Sequence, residues 1–400
     1  MNSLFETLIG EATLLTARGN LLDATAAIQR ALTGSPPIPP MRSGSAGAEA
    51  TVLDGLVREI SDRPPTRVSG VPTRPLDGSR APGVDRSAQR SGSFAAHRHS
   101  GRFGERTYKL FVPSGSAEGR LPLIVMLHGC SQSPDDFAAG TRMNEVAQER
   151  GFLVLYPAQA PRSNHSKCWN WFAPADQHRD SGEPGLLVEM TREVVASHGA
   201  DPRRVYVAGL SAGAAMADIL GREYPDLFAA VGVHSGLPQG AAHDVASAFT
   251  AMHHGAGAAA MSEARATRRP RRGVAPDVGT APADRATPTI VFHGDADATV
   301  HPSNGERVVG ATLQAAIGAP LAAQKTTVKS AAAGRAYTRT VHRRARAAPT
   351  EPSVVEHWVI HGAGHAWSGG SAKGSFADAS GPDASREMVR FFEEHPLPRR

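Results

Sequence analysis

Short apolar runs separated by helix-forming stretches dominate the chain from about residue 100 onward. The runs are rich in β-branched residues and several end at a glycine, which predicts strands at 107–113, 121–129, 151–157, 204–210, 228–236, 287–294 and 354–362. The stretches between them include predicted helices at 140–150, 186–198, 212–223 and 304–317. Strands that alternate with helices are typical of an α/β fold, in which helices cover both faces of a mostly parallel sheet.

The polar and apolar pattern before residue 100 is different. Residues 1–33 place leucine and isoleucine among charged and small residues, with a break near the middle, which predicts an N-terminal helical hairpin. Residues 34–98 are rich in Pro, Gly, Ser and Arg and predict a disordered linker. The remaining domain is expected to span 99–396 and to contain an irregular insertion at 237–286, which is rich in Ala, Gly and Arg.

The net charge of +5 raises the question of a nucleic-acid partner. The basic residues cluster at 265–272 and 342–347, without interleaved aromatic residues or a recognisable binding motif. Solvated loops are therefore favoured, and no nucleic-acid partner is expected. No run of 18 apolar residues occurs, so no membrane span is expected either.

The N-terminus and the cysteines bear on the compartment. No positive charge comes early in the chain, and Glu6 and Glu11 interrupt its apolar run, so we expect no secretory signal and a cytoplasmic location. Two cysteines, Cys130 and Cys168, permit at most one internal disulfide, which a reducing cytoplasm would disfavour.

The stretch VYVAGLSAGAAMA, at 205–217, places Ser211 between a predicted strand and a predicted helix, with Gly209 and Gly213 on either side. Close packing of small residues is one interpretation. A phosphate loop is a poor one, because no Gly-Lys-Ser/Thr ending follows. The strand-to-helix context favours a nucleophile elbow, G-x-S-x-G, in which the turn is so sharp that its neighbours must lack a bulky side chain.

A serine nucleophile needs a base and an acid that orients the base, and in the α/β-hydrolase fold the chain order is Ser, Asp or Glu, then His. The loop after the strand at 287–294 offers Asp295 and Asp297, each of which could simply cap a turn. We favour Asp297 as the acid because it lies deeper in the loop. After the last strand, we favour His365 as the base, because its loop is flanked by glycines, and assign His361 a structural hydrogen bond.

The oxyanion of an ester-cleaving enzyme also needs two backbone N–H donors. Ala212, the residue after the nucleophile, is one candidate. Cys130 is the other, because Gly129 permits a turn after an earlier strand. On its own, that His-Gly pair would be interpreted as an ordinary turn that ends a strand.

Six stretches together resemble the poly(3-hydroxybutyrate) depolymerase family of esterases, which includes feruloyl and acetylxylan esterases: LHGCSQSPDDFA, CWNWF, GEPG, VYVAGLSAGAAM, HGDADATVHPSNG and GAGHAWSGG. The resemblance covers about 105–395. It implies an α/β-hydrolase fold and a serine esterase mechanism that needs no metal or organic cofactor. It also implies the same nucleophile, acid, base and oxyanion donors: Ser211, Asp297, His365, Cys130 and Ala212.

The resemblance implies further features around the cysteines. Cys130 and Cys168 correspond to a pair that is typically bonded in the family, although two adjacent thiols remain the alternative here. Trp169 and Trp171, and Trp367 after the base, either pack in the core or line an apolar cleft for an acyl chain.

Several functions are compatible with this pattern. We expect a serine esterase that acts on poly(3-hydroxybutyrate) or its oligomers. The alternatives are a feruloyl, acetylxylan or other small-ester carboxylesterase, a transferase that uses another alcohol in place of water, and a granule-associated binding protein without turnover. The helices at 1–33 are candidates for granule binding or self-association.

Overall fold

A ten-stranded sheet forms the centre of the computed structural model, which describes residues 92–115, 119–255, 286–316, 321–328, 334–345 and 351–399. The predicted helical hairpin at 1–33 and the linker up to residue 91 lie outside the described residues. The strands of the large sheet are β1 (Ser93–Gly101), β2 (Gly104–Val112), β3 (Leu123–Leu127), β4 (Leu153–Pro157), β5 (Val205–Leu210), β6 (Ala230–His234), β7 (Thr289–Gly294), β8 (Leu321–Val328), β9 (Tyr337–Arg344) and β10 (Val355–Ile360).

The middle of the sheet is parallel and both edges are antiparallel. The spatial order is β1-β2-β4-β3-β5-β6-β7-β10-β9-β8. The six strands from β4 to β10 in this order are parallel neighbours, and the edge pairs β1–β2 and β9–β8 are antiparallel. The carboxyl ends of β5, β6, β7 and β10 therefore lie side by side at one end of the parallel strands. Ligands of α/β proteins bind at this end.

Seven α-helices occur in the described residues: α1 (Pro134–Thr141), α2 (Met143–Arg150), α3 (Gly182–Ser197), α4 (Ala212–Glu223), α5 (Val245–His254), α6 (Ser303–Ala315) and α7 (Ala384–Glu393). The predicted helix at 140–150 is in fact two, because Arg142 between α1 and α2 adopts a left-handed φ of 56°. Helix α5 lies within the insertion that was expected to be irregular, and a capping box of Asp244 and Ser247 begins it. Residues 256–285 of that insertion lie outside the described part.

Two hydrophobic cores lie on opposite faces of the sheet. Along β3, Leu123, Val125 and Leu127 belong to one core, whereas Ile124 and Met126 belong to the other. Residues of α3, α4, α5 and α6 pack into the first core, and residues of α1, α2 and α7 pack into the second. Because both faces are covered, the central strands are apolar throughout, which confirms the α/β fold predicted from the sequence.

The remaining strands, β11 (Trp367–Ser368) and β12 (Ala377–Asp378), form a separate parallel pair after β10. The basic cluster at 342–347, which was expected to lie in a loop, begins within β9. Among the described helices, none has both the length and the apolar character needed to cross a bilayer.

Candidate active site

Ser211 occupies a sharp turn between β5 and α4. Its backbone has φ 58° and ψ −123°, a region that residues with a side chain rarely adopt. A Cβ on Gly209 would lie 2.4 Å from the carbonyl carbon of Gly213, and a Cβ on Gly213 would lie 2.1 Å from the carbonyl oxygen of Leu127. Both flanking positions therefore require glycine, which is the geometry of a nucleophile elbow.

The side chain of Ser211 is largely buried, and its backbone is fixed by the neighbouring strand. The Ser211 N–H donates a hydrogen bond to the His234 carbonyl oxygen at the end of β6, at 3.0 Å. In the described part of the chain, Ser211 Oγ forms no hydrogen bond, including to His365. Such hydrogen bonds are often long in free enzymes and shorten when substrate binds.

Asp297 and His365 form a buried pair in the loops after β7 and β10. The Nδ1 of His365 lies 2.8 Å from Oδ2 of Asp297. The other carboxylate oxygen of Asp297 accepts hydrogen bonds from the N–H groups of Thr299 and Val300, both at 2.9 Å. Burial alone would raise the pKa of the Asp297 carboxyl, but the hydrogen bond and charge of His365 outweigh burial, so the pKa lies below its usual range.

Asp295 and His361 form a second pair in the same two loops. Their contact is also 2.8 Å, but the side chains are 41% and 39% exposed. His361 Nε2 additionally contacts the hydroxyl of Thr338 at 2.9 Å. Burial therefore distinguishes the two pairs, and a largely buried pair suits a catalytic role better than a solvated one.

Two buried histidines that were not singled out from the sequence support this edge of the sheet. His293 donates from Nε2 to the Val300 carbonyl at 2.8 Å and lies 3.6 Å from Asp297 Oδ2.

His234 accepts the Ser368 N–H at its Nε2, at 3.0 Å, and its ring stacks on Trp367. Burial lowers the pKa of His234 to about 3, so the ring stays neutral and connects the serine turn to the segment after His365.

The predicted oxyanion donors lie in adjacent loops with their N–H groups free. A Cβ on Gly129 would lie 3.6 Å from the Cβ of Ser211. The Gly129 N–H donates to Gln132 Oε1 at 2.9 Å, and the Ser131 N–H donates to the Ser166 carbonyl at 2.6 Å. Neither Cys130 nor Ala212 donates its N–H to an acceptor in the described residues, and Ala212 opens α4, where no intrahelical acceptor exists.

A disulfide joins Cys130 to Cys168, across a sequence separation of 38. Of the two states that the sequence left open, the structure therefore has the bonded one. The bond ties the loop that carries a free N–H to the segment that precedes Trp169.

The three tryptophans are interior residues, which agrees with core packing, the first of the two interpretations that the sequence left open. Trp169, Trp171 and Trp367 are all buried. Trp169 donates its indole N–H to the His128 carbonyl at 3.1 Å, and Trp367 donates to Ser385 Oγ at 3.1 Å. Because their rings are enclosed by the two cores, they have almost no surface to offer a ligand.

Glu183, in the GEPG stretch, holds the segment around Asn170, which follows Cys168, through hydrogen bonds. Its carboxyl accepts hydrogen bonds from the Asn170 N–H at 2.7 Å and from the Gln159 side-chain amide. The Nη2 of Arg106 lies 3.7 Å from Oε1 of Glu183. Burial raises the pKa of the Glu183 carboxyl to about 7.

The sheet order, the covered faces and the serine turn after β5 together define an α/β-hydrolase. The chain belongs to the Esterase PHB depolymerase family, whose pattern it matches over residues 106–327. It is 36% identical over 201 residues to poly(3-hydroxyalkanoate) depolymerase C of Paucimonas lemoignei, which covers 50% of this chain and 45% of that protein.

Proteins named as acetylxylan esterases are also similar to the chain. The chain is 26% identical over 196 residues to acetylxylan esterase A of Talaromyces purpureogenus, covering 49% of this chain and 50% of that protein. It thus spans about half the length of these curated relatives. An acetyl xylan esterase structure from Aspergillus awamori superposes with a TM-score of 0.53 at 18% identity, covering 75% of this chain and 99% of that one, which supports the fold.

Proposed function

We propose that the protein is a serine esterase in which Ser211, His365 and Asp297 cleave carboxylic ester bonds. The observation that carries the proposal is the buried Asp297–His365 pair, which lies at the same sheet edge as a serine in a strained turn. The family and the names of its similar members, which are depolymerases and esterases, support the same class of reaction.

The proposed mechanism has two halves. In the first, His365 Nε2 takes the proton of Ser211 Oγ as this oxygen attacks the ester carbonyl carbon, and the N–H groups of Cys130 and Ala212 stabilise the oxyanion. The imidazolium then gives its proton to the alcohol oxygen as the C–O bond breaks. In the second, water attacks the acyl-enzyme with the same base and releases the acid.

Asp297 acts through His365. Because its carboxyl has a lowered pKa and accepts two backbone N–H bonds, it stays ionised at neutral pH and keeps the Nδ1 proton on the imidazole. That proton directs Nε2 toward the nucleophile, and the negative charge stabilises the imidazolium that forms.

Poly(3-hydroxybutyrate) or its oligomers are the proposed substrate, since a similar relative is named for a poly(3-hydroxyalkanoate). Acetylxylan and feruloyl esters are the second candidate, supported by relatives named for those activities. Release of 3-hydroxybutyrate from amorphous granules, compared with hydrolysis of acetyl and feruloyl esters, separates the two. Granule binding without any turnover would instead favour a binding protein.

The triad is tested with p-nitrophenyl butyrate and matched histidine variants. Ser211→Ala and His365→Ala should each lower kcat by about 10³-fold or more, because the nucleophile or its base is lost. His361→Ala is the control and should stay within about threefold of the wild type, because its partner is the solvated Asp295. Equal losses in the two histidine variants would contradict the assignment of His365 as the base.

A further inference from the structure

An exposed aromatic side chain, Phe376, lies beside the proposed base. Its ring is 6.3 Å from the His365 ring, centroid to centroid, in an edge-on arrangement. Phe376 is 46% exposed, and the other large apolar side chains with comparable exposure in the described residues are Val245 and Phe249. A single exposed apolar residue is ordinary, but this one has an unusual backbone conformation.

The backbone of Phe376 is strained and fixed on both sides. Its φ is 51°, in the left-handed region that disfavours a bulky side chain. On the N-terminal side, the Ser375 N–H and hydroxyl donate to the two carboxylate oxygens of Asp136, at 2.8 and 2.6 Å. On the C-terminal side, the Phe376 carbonyl accepts the Trp367 N–H at 2.7 Å. The structure thus keeps an unfavourable conformation that points to a functional constraint.

The same segment is attached to the loop that carries Cys130, one of the two proposed oxyanion donors. Gln132 donates from its side-chain amide to the Ser375 carbonyl at 3.1 Å and accepts the Gly129 N–H at 2.9 Å. A Cβ on Gly374 would lie 2.4 Å from the Gly140 nitrogen, so the segment packs directly against α1. The backbone of Phe376 is therefore held next to the loop of Cys130, and its ring lies beside the base.

The chemistry of ester cleavage determines which half of a substrate reaches this ring. The base gives its proton to the alcohol oxygen, so the alcohol half lies on the imidazole side, whereas the carbonyl oxygen faces the N–H donors. An exposed phenyl ring beside the imidazole can bury apolar surface of that half.

We propose that Phe376 is a specificity-determining residue that binds the alcohol half of the ester and favours apolar, bulky alcohols. This inference rests on the esterase function proposed above. The substrate class it defines is esters whose alcohol portion carries an aromatic or branched alkyl group, including the next unit of a polyester chain.

The test compares two esters with the same acyl group, 2-phenylethyl butyrate and ethyl butyrate. Both pass through one acyl-enzyme, so the ratio of their kcat/KM values reports on the alcohol half alone. Phe376→Ala should lower this ratio about tenfold, and Phe376→Leu, which keeps apolar bulk, should lower it less than about threefold. If the alanine variant fails to fold, Phe376→Gly replaces it, because glycine accepts the left-handed backbone.

Phe249→Ala is the matched control. Phe249 is 42% exposed, and its ring contacts His253 on its own helix instead of His365. This variant should leave both the ratio and the activity unchanged. A ratio for Phe376→Ala or Phe376→Gly within twofold of the wild type, or an equal fall for Phe249→Ala, would overturn the inference while Ser211-dependent hydrolysis persists. Absence of any Ser211-dependent hydrolysis would overturn the esterase assignment and this inference with it.

Discussion

At the scale of single residues, burial separates two acid–base pairs of nearly identical geometry. Asp297–His365 and Asp295–His361 both have contacts of 2.8 Å and come from the same two loops. Both carboxyls accept backbone N–H groups, but only the carboxyl of Asp297 is fully enclosed. A carboxylate in such surroundings orients its histidine more firmly, since solvent does not compete for the hydrogen bond.

Replacement of each aspartate by asparagine tests this difference. Asp297→Asn should lower kcat by about 10³- to 10⁴-fold at neutral pH, because an amide no longer keeps the proton on Nδ1 or stabilises the imidazolium. Asp295→Asn is the matched variant and should lower kcat less than about threefold, because the pair it disrupts is solvated. Steady-state kinetics on p-nitrophenyl butyrate measure both, and similar losses in the two variants would disprove the assignment of Asp297.

The sequence predicted which strands and loops carry the site, but it did not predict which side chains there are buried or exposed. Chain order pointed to the loops after two late strands, and depth in the loop and flanking glycines favoured Asp297 and His365 within them. The structure brings these two side chains into contact, although their catalytic roles stay predictions. Burial of Trp169 could not be predicted, because a ring in a loop packs inward or outward depending on distant neighbours. Phe376 gave no signal, since an isolated aromatic residue in a polar loop acquires meaning only through its contact with His365.

At the scale of elements, the strand-to-helix turn at Ser211 depends on close approach between backbones. A Cβ on Gly213 would lie within 2.1 to 2.5 Å of the Leu127 and His128 carbonyl oxygens. Backbone atoms of buried β3 have little freedom to move, so the position tolerates no side chain. Gly310, in the middle of α6, provides the contrast, because a Cβ there would meet nothing within 4 Å.

Alanine at these two glycines should therefore have opposite effects on stability. Gly213→Ala should lower the free energy of unfolding by about 2 kcal/mol or more, through steric overlap with the backbone. Gly310→Ala should raise it by roughly 0.5–1 kcal/mol, because alanine favours a helix interior over glycine. Urea unfolding measures both, and destabilisation by Gly310→Ala of the same size would show that the Gly213 effect is not specific to the turn.

Central strands were predictable because they are buried on both faces, whereas the edges of the sheet were not. Strands β3 and β5 read as continuous apolar runs. Strand β1 is mostly exposed and falls at the end of the predicted linker, and β8 and β9 carry mixed polar residues. Their pairing depends on backbone hydrogen bonds to neighbours, which leave little trace in the sequence.

At the scale of the whole molecule, stability depends on pH through buried groups of opposite sign. Burial raises the pKa of Glu183 to about 7 and lowers the pKa values of His128 and His234 to about 4 and 3. Because of these histidines, the folded protein loses stability as pH falls below about 6.5. Only the unfolded chain then takes up their protons. Glu183 acts the other way, since its folded form prefers to keep a proton that the unfolded form releases above about pH 4.5.

The Glu183 contribution is isolated by comparison with Glu183→Gln. In the wild type, this group should lower the free energy of unfolding by roughly 3 kcal/mol as pH rises from about 4.5 to 7, and the neutral variant should lack that fall. The difference in unfolding free energy between the two proteins, measured across this range, is the readout. Glu306→Gln, an exposed carboxyl on α6, is the control. A difference that does not vary with pH would contradict the raised pKa.

The disulfide between Cys130 and Cys168 distinguishes the newly synthesised, reduced chain from the mature, oxidised one. One of its cysteines provides a candidate oxyanion N–H, so loss of the cross-link would remove a covalent constraint on the loop that carries this donor. Disulfides persist mainly in oxidising compartments. A freshly made, reduced chain would accordingly resemble a zymogen whose maturation requires removal of two electrons in place of peptide cleavage.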